Sequence, residues 1–152
     1  MKVALAQINP TVGALSSNAR KIIEIIQEYS SQCDIIIFPE MCLTGYPPQD
    51  LLMDAAFIAK TAEALEDIAD KVQGTPVILG TIRQVENRLF NTAAVLQNDK
   101  VIVYRDKTHL PTYDVFDEAR YFVSADSRMP VELKIHGTSV KLGIEICEDL
   151  WD

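Results

Sequence analysis

Asp34-Ile35-Ile36-Ile37-Phe38-Pro39-Glu40 carries the chain's clearest structural signal. Ile35 to Phe38 is a short, continuous apolar run that is β-branched at three successive positions. A run of this kind, without polar alternation, fits a strand buried on both faces in a sheet flanked by helices. Pro39 has no N–H to offer a ladder and ends the strand, so Glu40 stands just beyond its carboxyl end. Toward the N-terminus, Met1 to Ile8 reads as a second strand, closed by Asn9-Pro10 and Gly13. Between the two, Ala19, Ile22, Ile23, Ile26 and Tyr29 recur at helical spacing. They predict an amphipathic helix from Ser17 to about Ser30, with Ser16 or Ser17 as its cap.

Toward the C-terminus, residues 41–49 hold Gly45 and Pro47-Pro48 and read as an ordered loop. Ile58, Ala62, Leu65, Ala69 and Val72 predict a second amphipathic helix, roughly Ala55 to Lys71. Pro76 to Ile82 is the next buried strand. Leu89 to Leu96 and Lys100 to Tyr104 form a hairpin about Gln97-Asn98-Asp99. After a long polar segment, Val131 to Ile135 and Ser139 to Ile146 form another, about His136-Gly137. Alternating strands and helices followed by hairpins imply an α/β layer structure whose sheet mixes parallel and antiparallel pairs.

Composition narrows the classes. The 152 residues suffice for one compact domain, and 48% hydrophobic with 24% charged residues is the balance of a soluble globular chain. A net charge of -8 argues against a general phosphate-backbone binder, whose affinity needs clustered Lys and Arg. No apolar stretch approaches the ~20 residues that cross a bilayer, and Met1-Lys2 runs directly into the first strand rather than into a leader. Three cysteines without a CxxC pair fit a reducing cytoplasm, and two histidines argue against a histidine-based zinc site, so no metal is expected.

Three predicted strands end in a reactive side chain. Asp34 to Phe38 delivers Glu40, Lys100 to Tyr104 delivers Asp106 and Lys107, and Ser139 to Ile146 delivers Cys147. Sites in α/β sheets form beyond strand carboxyl ends, where rigid strands aim converging loops. A thiol attacks a carbonyl only as thiolate. A nearby carboxylate can take its proton and return it to a leaving amine. An ammonium can stabilise the thiolate and, with a backbone N–H, an oxyanion. Each residue also has an ordinary reading: a solvated Glu, an exposed Lys, a buried apolar Cys. Cys33 and Cys42 are assigned to that last class.

Val3-Ala4-Leu5-Ala6-Gln7, Phe38-Pro39-Glu40, the lysine after the central hairpin and Cys147 after an apolar run together resemble the nitrilase superfamily of carbon-nitrogen hydrolases. Leu43-Thr44-Gly45-Tyr46-Pro47-Pro48-Gln49-Asp50-Leu51-Leu52 is more similar to the glutaminase domains of glutamine-dependent NAD synthetases than to general amidases. So are Leu110-Pro111, Val115-Phe116-Asp117-Glu118, Arg120-Tyr121-Phe122 and Cys147-Glu148-Asp149-Leu150-Trp151. The resemblance covers essentially the whole chain.

It implies a nitrilase-like α-β-β-α sandwich with mixed sheets, of which residues 1–152 supply only the N-terminal part. It implies a catalytic triad of Glu40, Lys107 and Cys147, with Glu118 supporting and Tyr46, Tyr113, Glu148 and Trp151 lining a glutamine pocket. Glutamine would be hydrolysed through a γ-glutamyl thioester without a cofactor. Ammonia would pass to a synthetase domain of the same longer chain, where ATP and Mg would serve to amidate nicotinic acid adenine dinucleotide. A homo-oligomer, no nucleic-acid partner and no membrane partner are expected, together with an exposed sheet edge where later strands should continue. Three other readings stand beside this one: a cysteine-histidine hydrolase using His109, a stand-alone amidase on another small amide, and a truncated fragment that only binds.

Overall fold

A computed structural model describes residues 1–151; Asp152, the last residue of the expected 1–152 unit, lies outside the described residues. One five-stranded sheet runs in the order β1 (Val3–Leu5), β2 (Ile35–Ile37), β3 (Val77–Val85), β4 (Arg88–Gln97), β5 (Lys100–Asp106). The first three strands pair parallel and the last three antiparallel. A second, two-stranded sheet is the hairpin of β6 (Val131–Ile135) and β7 (Thr138–Leu142).

The period of two in a strand divides the core between two faces. Ile36, Val77, Leu79, Ala94 and Leu96 meet Ile22 and Ile26 of α1 (Leu15–Tyr29) and Leu65 and Ile68 of α2 (Ala55–Ala69). Ile35, Ile78, Ala93 and Val95 turn the other way, onto Val131, Leu133 and Ile135 of β6 and onto Ile146. Burying each such side chain contributes roughly 1.5–3 kcal/mol. The result is three layers of the expected sandwich, α-β-β, with mixed strand directions. Among the described residues, β7 has β6 as its only strand partner, and Leu5, Val115, Leu150 and Trp151 are exposed.

Several boundaries differ from expectation for local reasons. The first strand is only Val3–Leu5, because its pairing with β2 ends where β2 does. The N-cap of α1 is Ala14, without a side-chain cap; the Ser17 hydroxyl instead donates back to the Ala14 carbonyl at 3.1 Å. Asp54 does cap α2, accepting from Ala56 N–H at 2.8 Å, and that helix stops at Ala69 rather than Lys71. The third strand continues to Val85 and forms an extended hairpin with β4, nine residue pairs from Val77↔Leu96 to Val85↔Arg88. Apolar patterning does not mark that extension, since Arg83 and Gln84 lie in it. Asn98 and Asp99 make the β4–β5 turn, both at positive φ, a conformation that Asn and Asp tolerate better than most residues. The strand expected to reach Ile146 ends at Leu142, so irregular backbone carries the chain from Gly143 to Cys147.

Candidate active site

Glu40 follows β2 at a sharp change of direction. Met41 has a φ of 47°, and Cys42 N–H donates back to the Pro39 carbonyl at 3.3 Å. This loop lies directly on β3 at Gly80. A Cβ at that position would stand 2.2 Å from Pro39 O, 2.5 Å from Met41 N and 2.6 Å from Glu40 Cα, all of them backbone. Only glycine lets the loop settle there.

Lys107 follows β5, its N–H bonded to the Asn91 carbonyl at 2.9 Å. The strand's alternation separates it from its neighbour. Asp106 takes a 2.8 Å hydrogen bond from Arg83 Nε, away from the other reactive groups. Lys107 points inward and is 0% exposed. Its Nζ donates to Glu40 Oε1 at 2.7 Å and lies 3.0 Å from each oxygen of Glu118. Asn91 Nδ2 binds the same Glu40 oxygen at 2.6 Å and reaches Glu118 Oε2 at 3.3 Å. Tyr46 closes the group by donating its hydroxyl to Glu118 Oε1 at 3.0 Å.

The charges hold one another in place. Burial alone would push the Lys107 ammonium down, but hydrogen bonds and charge from Glu40 and Glu118 outweigh it and raise the pKa. The lysine stays charged. Burial, and then Glu118, push the Tyr46 hydroxyl up, so it remains a donor. Three carboxylate oxygens surround Nζ, as many as it has protons. In this resting arrangement its hydrogen bonds are spent on carboxylates.

Cys147 opens a short 3₁₀ turn, Cys147–Trp151, with a φ of 48°, rare for a residue with a Cβ. It faces Glu40 across a cleft of about 220 Å³ floored by Gly80, Thr92 and Ala93. Burial, Glu40 and Glu118 push its thiol up, while Lys107 and the Glu148 N–H act in the opposite direction and only partly offset them. The net effect is a raised pKa, so a base must take the proton as attack begins.

Tyr113, Glu148 and Trp151 meet in a neighbouring cleft of about 340 Å³, with His109 and Leu110 on its wall. Tyr113 donates its hydroxyl to Glu148 Oε2 at 2.8 Å. Tyr46 is not in this cleft. Its ring lines another, of about 280 Å³, with Asp117 and Tyr121. The fold thus brings Glu40, Lys107, Glu118, Tyr46 and Cys147 into one group and Tyr113, Glu148 and Trp151 into an adjoining one. His109 belongs with the second. Cys33 and Cys42 are buried, Cys42 in the Glu40 loop with its thiol donating to the Gly80 carbonyl at 3.4 Å. Among the described residues no cluster of three or more His, Cys, Asp or Glu side chains is placed to hold a metal ion.

Asn91 and Gly80 escaped the sequence reading. An amide inside the apolar strand Leu89-Phe90-Asn91-Thr92-Ala93 was the available signal for the first, because an amide buried in a strand needs partners. Nothing local distinguishes Gly80.

The thiols give a direct test. Iodoacetamide should label Cys147 alone in the folded chain, at a rate that climbs only as pH passes above the ordinary thiol range, because the folded pKa is raised. Cys42, 0% exposed and pushed up to about 12, should stay unlabelled until the chain unfolds. Peptide mapping across a pH series reads both; equal labelling of the three would contradict the arrangement.

The carbon-nitrogen hydrolase family model matches residues 2–151. The glutamine-dependent NAD(+) synthetase of Synechocystis sp. is 40% identical over 99% of the chain, which covers 28% of that protein. The one from Aquifex aeolicus is 38% identical over 99% of the chain and 26% of that protein. Among solved structures, the glutamine-dependent NAD+ synthetase of Acinetobacter baumannii superposes with a TM-score of 0.89 at 36% identity, over 99% of this chain and 28% of that one. An amidase from Nesterenkonia sp. superposes at 0.74 and 20% identity over 93% of this chain and 54% of its own, a likeness of fold. The chain spans little more than a quarter of the length of the synthetases it matches.

Proposed function

The chain belongs to the carbon-nitrogen hydrolase family, and from that premise we propose that it is the glutaminase part of a glutamine-dependent NAD synthetase. The observation that carries the reading is Glu40 held between Lys107 and Asn91 in the cleft that also contains Cys147. Glu40 takes the thiol proton as the Cys147 sulfur attacks the side-chain carbonyl of glutamine, forming a C–S bond and a tetrahedral oxyanion. The Glu148 N–H, which meets the sulfur, donates to that oxyanion, with the Lys107 charge behind it. Collapse breaks the C–N bond, and Glu40 returns the proton to the leaving ammonia. Water, activated by the same carboxylate, then cleaves the thioester to glutamate.

Glu118 fixes the Lys107 ammonium. Glu148, oriented by Tyr113, supplies a carboxylate for the substrate's α-ammonium, with Trp151 as an apolar wall and Tyr46 acting through Glu118. No cofactor enters this step. Ammonia is consumed in an ATP- and Mg-dependent amidation by a synthetase domain of the longer polypeptide. Three free cysteines support a reducing, cytoplasmic setting, and the exposed Leu5, Val115, Leu150 and Trp151 together with the single-partnered β7 support assembly into a homo-oligomer.

The test compares ammonia release from glutamine, asparagine and simple aliphatic amides, on this chain and on the longer polypeptide, with C147A as control. Release from glutamine that C147A abolishes, at least tenfold faster than from the other amides, is the expected result. A preference for simple amides would make the chain a stand-alone amidase. No release from any amide by either polypeptide would leave a fragment that only binds.

A further inference from the structure

Asp149 lies two residues beyond the nucleophile and is 2% exposed. Its Oδ1 accepts from Thr108 N–H at 3.0 Å, Thr108 Oγ1 at 2.8 Å and His109 N–H at 2.9 Å. Its Oδ2 accepts from Ile146 N–H at 3.2 Å, and its own N–H donates to the Ile146 carbonyl at 3.1 Å. One side chain therefore ties together two segments with no regular secondary structure. The first begins one residue after Lys107, and the second ends one residue before Cys147. Neither belongs to a strand at the point of contact, so strand pairing does not set their separation. Cys147 is also at a positive φ, which the surroundings must enforce. A buried carboxylate satisfied by four donors is a rigid device for doing so. Burial would push the Asp149 carboxyl up, yet its hydrogen bonds with His109, Thr108 and Ile146 hold it below the usual range, so it is charged at neutral pH.

We propose that Asp149 is a positioning residue that clamps the nucleophile turn to the Lys107 segment and thereby sets where the Cys147 sulfur meets the Glu40 carboxylate. The proposal rests on Cys147 being the nucleophile. Asp149 acts through the backbone it holds, its carboxylate being taken up by Thr108, His109 and Ile146.

Asp149→Asn keeps an oxygen for the three donors of the Lys107 side but sets an NH₂ against the Ile146 N–H. It breaks the nucleophile side selectively. Asp149→Ala empties the carboxylate position, which formate can refill. The probe is a glutamine-shaped chloroketone, with its maximal labelling rate at Cys147 and its half-saturating concentration measured separately, beside circular dichroism of each variant.

Asp149→Asn should lower the maximal rate by about 10²-fold, the scale of an ångström's misplacement, with half-saturation within about threefold. Asp149→Ala should fall further and recover at least tenfold in formate. Thr108→Val, which loses one hydroxyl donor and keeps the fold, should slow labelling by about tenfold and serves if the Asp149 variants do not fold. Folded Asp149→Asn labelling at the wild-type rate would overturn the proposal, as would a loss that formate leaves unchanged or a Thr108→Val variant indistinguishable from wild type. Failure of wild-type Cys147 to react with the chloroketone would instead overturn the nucleophile assignment, and the clamp with it.

Discussion

Lys107→Met should abolish turnover and destabilise the folded chain by about 3–5 kcal/mol, the usual range for breaking a buried ion pair from one side. The lysine is fully buried, Glu118 is 5% exposed, and Glu118 and Glu40 share the ammonium. Removing the ammonium leaves two carboxylates facing each other with only Asn91 and Tyr46 as donors. One of them must be protonated or the group must open. Urea unfolding reads the stability, and the loss of ammonia release should be on the order of 10²–10³-fold or more. The double variant Lys107→Met with Glu118→Gln separates the two effects. It removes the uncompensated charge and should recover most of the stability without recovering turnover. Equal stability of Lys107→Met and wild type would show that the three charges do not support one another.

Gly80→Ala is the second large effect, and it acts without touching a reacting group. The added methyl would collide with three backbone atoms of one loop, Pro39 O, Met41 N and Glu40 Cα. Backbone cannot rotate away as a long side chain can, so the Glu40 loop must lift. The loop is held at this place by the Leu43 N–H to Gly80 carbonyl bond at 3.4 Å and by packing of Met41 and Leu43, both 0% exposed. A shift of about 1 Å in Glu40 relative to Cys147 should lower turnover by about 10²-fold, with a stability loss of about 1–3 kcal/mol from overpacking. Ammonia release and thermal unfolding on the same preparation check it. Retention of wild-type turnover would mean that the position of Glu40 is not set by its contact with β3.

The two effects differ in how visible they are from the chain alone. Glu40 and Lys107 were legible because each stands where a strand stops, and Pro39 marks one of those stops. Cys147 was legible by the same logic, although the strand expected before it ends at Leu142 and irregular backbone does the delivering. Asn91 was legible only as an amide inside an apolar strand. Its position in β4 looks like any polar interruption until the β4 and β5 register brings it beside Lys107. Gly80 was less so, since its need for a missing Cβ arises from a loop that is remote in sequence. Tyr46 and Tyr113 were grouped together in one pocket, yet the fold sends the first to Glu118 and the second to Glu148.

What the chain determined by itself was periodicity and punctuation. Ile35, Ile36 and Ile37 pointed to a strand covered on both sides, because such runs are typical of sheets flanked by helices. The helices, the hairpins and the positions of Glu40 and Lys107 after strands followed from local pattern, and Cys147 from the apolar run before it, although β7 stops at Leu142. Tertiary structure decided which of those residues share a charge. Lys107 was an ordinary lysine until β4, the 3₁₀ turn Glu118–Arg120 and the Glu40 loop enclosed it. The reason is electrostatic: an ammonium out of water is tolerable only where fixed carboxylates replace its hydration, and their positions come from contacts between residues far apart in the sequence.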